Sequence, residues 1–331
     1  MKSIAYVVPY FGNLPDNFDL WLLSCKYNPS VNWIMFTDDQ RSFNYPSNVT
    51  VYYTTFENLK NRIQLLFDFS ISLDTPYRLC DFRVAYGEIF KEELIEYDYW
   101  GYCDIDLLFG VIRSFITDDL LNNYEKIGFQ GHSTIYLNNP DVNKRYRHCL
   151  NSKYLYKEYF TTEGEESNYF DEDAINKIYE SLGIPYFSEI NFANINPMYW
   201  NFQLTHQNLE GIAKNKNRVF TWDRGKLYSL SLVNNKQIKE EYMYVHFLRR
   251  PMSSEGKCTD NVDKLLIIPN KILPNKNLNL TNEEIRKYSK NKQVKYWLNL
   301  IWRKRNKMTI KNIYNFFKYR FIVHINGKLD R

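Results

Sequence analysis

Paired cysteines, long apolar runs and a glycine-rich phosphate loop are all missing from this sequence. The five cysteines (Cys25, Cys80, Cys103, Cys149 and Cys258) are odd in number and form no Cys-x-x-Cys pair. Three of them sit within apolar patterns, as reduced core thiols do, and a cytosolic chain follows more naturally than a secreted one. No segment approaches the ~18 consecutive apolar residues that a membrane-spanning helix needs. The run Ile4–Val8 stops at Pro9 without a cleavage site, so no secretory signal is expected and the Asn-x-Thr triplets at Asn48 and Asn279 carry no weight. Pro9–Pro15 holds only Gly12, which counts against a nucleotidyltransferase, since such an enzyme cradles phosphate in a glycine-rich N-terminal loop.

What is present is ordinary in bulk and uneven in charge. With 331 residues, 44% hydrophobic and 24% charged, the chain can form one large globular domain or two small ones. Tyr and Phe are abundant, but so are Asn, Lys and Ile, the bias of an AT-rich genome, so the aromatics are not read as functional. Residues 276–331 carry 15 Lys/Arg against three acids, a net of +12, whereas residues 1–275 carry 28 against 35, a net of −7. An acidic body with a basic tail is a sharper feature than the overall +5.

The first half alternates strand-like and helix-like segments. Ser3–Val8, Asn32–Thr37 and Val49–Tyr53 read as strands, and helices are expected from Asn17 to about Tyr27, over Glu57–Ser72 and over Asp81–Ile95. Such alternation implies an α/β, mostly parallel sheet flanked by helices, with ligands outside the carboxyl ends of the strands. Three polar clusters fall at those ends: Tyr10–Asn13, Thr37–Asp39 and Asp104–Asp106. The second half is less regular. One or two strands are expected over Lys126–Asn139, with Gly128, Gly131 and His132 marking a bend or close backbone approach. A helix is expected over Pro140–Leu150, a mobile substrate loop over Tyr154–Asn168 and a helix over Asp171–Leu182. A hairpin turning at Asp223–Gly225 and a last strand at Glu241–Phe247 complete the body.

Tyr99–Gly110 carries the strongest chemical signal. It sets Asp104-Ile105-Asp106 at the end of an apolar, aromatic strand, where alternation puts both carboxylates on one side and Ile105 on the other. Two adjacent carboxylates repel unless something positive lies between them. A hard divalent cation that also holds a substrate phosphate answers this, as would capping of the next helix or pairing with arginines.

Leu79-Cys80-Asp81-Phe82-Arg83-Val84-Ala85-Tyr86-Gly87 followed by Tyr102-Cys103-Asp104-Ile105-Asp106-Leu107-Leu108-Phe109-Gly110 resembles a family of bacterial capsule and exopolysaccharide glycosyltransferases of the GT-A class. Gly128–Asn139 and the Phe170-Asp171-Glu172 helix start fit that resemblance, which covers roughly residues 1–255. It implies a GT-A-like (Rossmann-type) sheet, a UDP-sugar donor and Mn²⁺ or Mg²⁺. Asp106 would bind the metal, Asp104 the metal or ribose, and His246 would be a distant third ligand. Pro9, Tyr10, Phe11, Gly12, Asn13, Thr37, Asp38 and Asp39 would surround uracil and ribose, with Ile105 between the two acids. Arg83 would reach the diphosphate, Asp81 the sugar hydroxyls, and Arg249 or Arg250 would clamp phosphate. An inverting transfer needs a base, for which Glu172, then Asp171, then Asp173 are candidates, with Asp171 also a candidate helix cap. A retaining reaction stays open.

The chain then divides into a catalytic domain, 1–275, and a basic helical tail, 276–331. The donor half of the domain is about 1–110 and the acceptor half about 111–275. In the tail, Val294, Trp297, Leu298 and Ile301 share one helical face, and Ile310, Ile313, Phe317 and Phe321 repeat the pattern. This is the composition of an interfacial helix, or of a helical pair packed on the body with solvated lysines. The expected partners are a lipid-linked oligosaccharide acceptor and an anionic membrane surface, giving a cytoplasmic protein peripheral on the inner face of the cell membrane. A nucleic-acid-binding arm is the reading from another class, and the acidic body and the apolar faces of the tail argue against it.

Overall fold

The computed structural model describes residues 1–205, 217–248, 250, 252–254, 262–275, 277–290 and 292–304. Its centre is a mixed, parallel-rich sheet built from β1 (Ile4–Tyr10), β2 (Val31–Thr37), β3 (Val49–Tyr53), β4 (Tyr99–Cys103), β6 (Lys126–Ile127) and β7 (Ser133–Leu137), in the order β3-β2-β1-β4-β7-β6. The first four strands are parallel, and β7 and β6 add antiparallel at one edge. Alternation along β1 feeds two cores. Ala5 and Val7 pack beneath α2 (Phe56–Gln64) and the turns around Phe82–Phe90, while Ile4, Tyr6 and Val8 pack beneath α1 (Phe18–Lys26) with Trp21 and Trp33.

Local bonds reset several sequence-predicted boundaries. α2 stops at Gln64, whose amide donates to Phe69 O at 2.8 Å and accepts from Ile71 N at 3.0 Å, turning the chain where the apolar spacing continues. The helix predicted over 81–95 is a series of short turns from Pro76 to Ile89, because Asp81 and Arg83 are drawn into tertiary bonds; its apolar face is buried all the same. Pro140–Leu150 is one helical turn, Pro140–Asn143, then a 3₁₀ turn and a short strand. The stretch expected as a mobile loop contains a helix, Leu155–Thr161, held by Tyr156 and Phe160, the latter stacked on Phe82 at 4.2 Å.

After the central sheet the chain builds further sheets, among them one of three strands and one of six. The short strand β5 (Leu107–Phe109) pairs antiparallel with Tyr244–His246, which also pairs with Ala193–Asn194. The six-stranded one joins Lys236–Glu241, Lys226–Val233, Arg218–Asp223, Lys264–Ile268 and Lys271–Pro274 antiparallel, with Ser253–Ser254 added parallel at the edge. Its first hairpin turns at Arg224–Gly225, both with positive φ (47° and 88°), the geometry a two-residue hairpin needs. The strand expected as the last is only Tyr244–His246, and three more follow it among the described residues.

Part of the basic segment is joined to this body. Thr281 and Glu284 form a reciprocal cap on the helix Asn282–Tyr288, and Ile285 is buried with Val219, Leu230 and Leu266. The helix Gln293–Lys304 follows, with Tyr296 buried and its hydroxyl donating to Pro197 O at 2.9 Å. The second apolar set, Ile310 to Phe321, lies outside the described residues. Among the described residues no helix is long and apolar enough to cross a membrane.

Candidate functional site

β1 has β2 on one side and β4 on the other, so the loops leaving their carboxyl ends diverge and open a crevice. β4 pairs with β1 only as far as Val7, whereas β2 stays paired with it through Tyr10, so one side of the end of β1 faces that crevice. The loop after β1 is pinned from β2: Asp38 Oδ1 accepts from Gly12 N at 2.7 Å, and Asp39 Oδ2 from Leu14 N at 2.9 Å. Arg41 pairs with Asp39 and holds its carboxyl well below the usual range. Thr37 is buried and accepts from Asp39 N. Pro9, Tyr10, Phe11 and Asn13 line a broad cleft, while Gly12, Thr37, Asp38 and Asp39 shape the loop from behind.

Asp104, Ile105 and Asp106 leave β4 in a turn, and the chain continues into β5, which pairs with the strand bearing His246. That pairing brings residues far apart in sequence together: His246 Nε2 lies 3.2 Å from Asp106 Oδ1 and 3.6 Å from Asp104 Oδ2. The three side chains offer ligand atoms within 4.8 Å of one another, two half-buried carboxylates and one buried imidazole, a donor set able to hold a divalent cation. Burial works to lower the His246 pKa, but the hydrogen bond and charge of Asp106, with Asp104 behind it, leave it raised. Its Nδ1 is buried with no hydrogen-bond partner among the described residues, so the Nε2 contact with Asp106 and packing, with the His132 ring 4.7 Å away, set the ring orientation.

Arg83 joins this group to the acidic turn. Its guanidinium donates to Asp104 Oδ1, leaving Oδ2 toward His246, and to Asp171 Oδ2 at 3.1 Å, over the face of Tyr102. Asp171 is buried inside a π-helical turn, Phe170–Ala174, rather than at a cap position; Tyr169, in the left-handed region, precedes the turn. Burial pushes Asp171 up to about 7, more than Arg83 lowers it, with Glu172 and Asp104 adding to the rise. Glu172 is half-buried, lines the cleft and accepts from Gly131 N at 3.0 Å. Glycine makes room for that approach: a Cβ on residue 131 would lie 2.6 Å from Asp171 Oδ2 and 2.8 Å from Glu172 Oε1, and both carboxylates would have to shift.

Several residues singled out from the sequence lie apart from this group. Asp173 is exposed and paired with Lys177 at 2.6 Å. Asp81 is fully buried against Arg78 at 3.0 Å and accepts from Ser167 Oγ, Asn168 N and Phe170 N, which fixes the loop leading to Asp171. Arg250 is buried and donates to Tyr199 O, Trp200 O and Asn270 Oδ1, with burial lowering it to about 10. Arg249 lies outside the described residues.

The structure also adds a group that spacing did not reveal. His132 Nδ1 bonds the Tyr244 hydroxyl at 2.8 Å and its Nε2 the Gln130 side chain at 2.7 Å, and the His132 carbonyl accepts from Asp104 N. Gly128, Gly131 and His132 stand out in the sequence only as a bend, and nothing local ties them to residue 244.

The profile of a family of unknown function (DUF6625) matches residues 6–276. No curated protein matches the sequence. Among solved structures, the apo form of mouse xyloside xylosyltransferase 1 is similar at a TM-score of 0.37 and 10% identity, over 59% of this chain and 87% of that one.

Proposed function

We propose that this chain, which belongs to the family of unknown function (DUF6625), is a GT-A-like, metal-dependent glycosyltransferase that moves a hexose from a UDP-sugar to an oligosaccharide. The observation that carries the reading is the meeting of Asp104, Asp106 and His246 at the strand ends, in the cleft that Glu172 also lines. Asp104, Asp106 and His246 would hold Mn²⁺ or Mg²⁺. A bound cation supplies positive charge against the diphosphate of the departing nucleotide. Tyr10 and Phe11 supply aromatic faces beside the end of β1 for a nucleobase.

Glu172 is the general base of an inverting transfer. The Gly131 N–H holds one of its oxygens, and the other takes the proton of the acceptor hydroxyl. The hydroxyl oxygen bonds to the anomeric carbon as the bond from that carbon to the diphosphate oxygen breaks. The electron pair of that bond leaves with UDP. Arg83 keeps Asp104 oriented, and buried Asp171 keeps Arg83 in place. The donor sugar is of galactose or glucose type, galactofuranose included. The acceptor is a lipid-linked oligosaccharide of capsule, O-antigen or exopolysaccharide synthesis, met at the inner face of the cell membrane with the basic segment toward anionic lipid.

A panel of nucleotide sugars with Mn²⁺, scored for nucleotide release and for thermal stabilisation by UDP, tests the reading. Asp106→Ala should keep the fold and lose turnover by about 100-fold or more. If neither UDP nor any nucleotide sugar stabilises the protein with metal present, or if Asp106→Ala turns over normally, the reading falls.

A further inference from the structure

The basic segment is not all one surface. Ser289 is buried, with its carbonyl accepting from Asn201 Nδ2; Gln293 exchanges bonds with Trp200 N at 2.7 Å and Met198 O at 2.9 Å; Trp297 Nε1 donates to Met198 O at 3.0 Å. These contacts make Ser289, Lys290 and the start of the last described helix a wall of the same cleft. Lys290, Lys292 and Lys295 line it, together with Lys287. Val294 and Leu298, 70% and 56% exposed, do not line it and face solvent.

None of the four lysines takes part in an ion pair among the described residues, although residues 1–275 carry a net −7. Lys292 lies 5.6 Å from the Trp200 ring centroid, which orders the side chain without neutralising it. Gathering like charges on a concave wall is costly unless an anion enters between them, and ammonium groups on long stems serve phosphate as point charges. The acids at the strand ends repel such an anion unless a metal covers them. The lysine wall and the acid group are therefore chemically distinct places in one cleft.

We propose that Lys290, Lys292 and Lys295 form a second anion site, distinct from the donor's, that takes the phosphate or diphosphate ester of a phosphorylated acceptor. This rests on the glycosyltransferase reading for the word acceptor, but the anion site can be measured without it. The full chain in EDTA is titrated with inorganic pyrophosphate, beside Lys290→Ala/Lys292→Ala/Lys295→Ala and the corresponding triple arginine variant. The alanine variant should bind pyrophosphate about tenfold more weakly, and the arginine variant within about twofold of the parent. UDP with Mn²⁺ should stabilise all three proteins equally. Failure of UDP to bind the parent sinks the transferase reading alone. Equal pyrophosphate affinity in parent and alanine variant overturns the anion site. So does a loss of binding only to vesicles of anionic phospholipid, which would turn these lysines toward a membrane.

Discussion

Arg83 stands between two carboxylates that cannot both be satisfied by one guanidinium at no cost. It takes Asp104 and Asp171 together, and Glu172 adds a third negative group within reach of Gly131. Asp171 bears the imbalance: burial first, then Glu172 and Asp104, raise it to about 7 against the lowering by Arg83. A carboxyl raised above its unfolded value of about 3.9 stabilises the fold fully below that value and loses the contribution as pH climbs through its folded value. The metal-free protein should thus lose stability between about pH 4 and pH 7, by at most about 1.4 kcal/mol per pH unit from this group. His246, also raised, slopes the same way, so the difference between Asp171→Asn and the parent isolates Asp171. Thermal midpoints across that range should give the variant the flatter profile. Identical slopes would mean that Asp171 is ionised throughout.

At the scale of elements, Arg78–Asp81 shows how the fold builds the acidic turn. Both side chains are fully buried, and Asp81 also anchors Ser167, Asn168 and Phe170. Asp81→Ala leaves Arg78 uncompensated and should cost about 3–5 kcal/mol. Arg78→Met/Asp81→Leu should recover part of that loss, because it removes the stranded charge. A midpoint unchanged in Asp81→Ala would end the structural account and return Asp81 to the sugar hydroxyls. The same pair explains what was legible in the sequence. Strand positions β1 to β4, the Asp104–Asp106 pair and the Asp223–Gly225 turn follow from alternation, chemical type and local turn residues, whereas His246 follows only from the family resemblance. The helices predicted over 57–72 and 81–95 run too long because periodicity records which face is buried and not where the hydrogen bonds stop. Gln64 ends the first by bonding Phe69 and Ile71 just beyond it, whereas Asp81 and Arg83 break the second through partners, Ser167 and Asp171 among them, that no local window contains. His132 escaped for a related reason: its bond to Tyr244 spans 112 residues.

On the scale of the whole molecule, the boundary at residue 276 follows charge, whereas packing crosses it. An acidic body and a basic tail suggest two separable parts, yet Leu280, Ile285 and Tyr296 are buried against the body. Basic residues are tolerated there because their long side chains reach solvent or the cleft while the apolar residues between them fill the seats. Each buried large side chain contributes about 1.5–3 kcal/mol, so removing all three forfeits roughly 5 kcal/mol or more, a large share of a typical domain's stability. A chain ending at Asn275 should therefore melt well below the parent and expose the apolar patch around Val219, Leu230 and Leu266, read as increased binding of a hydrophobic dye. It should also lose the lysine wall, so that weakened pyrophosphate binding accompanies the loss of stability. Ile285→Asp unseats the same helix within the full chain and should reproduce the lower melting point while the lysines remain present. An undiminished melting point in both proteins would make the segment a detachable tail, as its charge alone suggests.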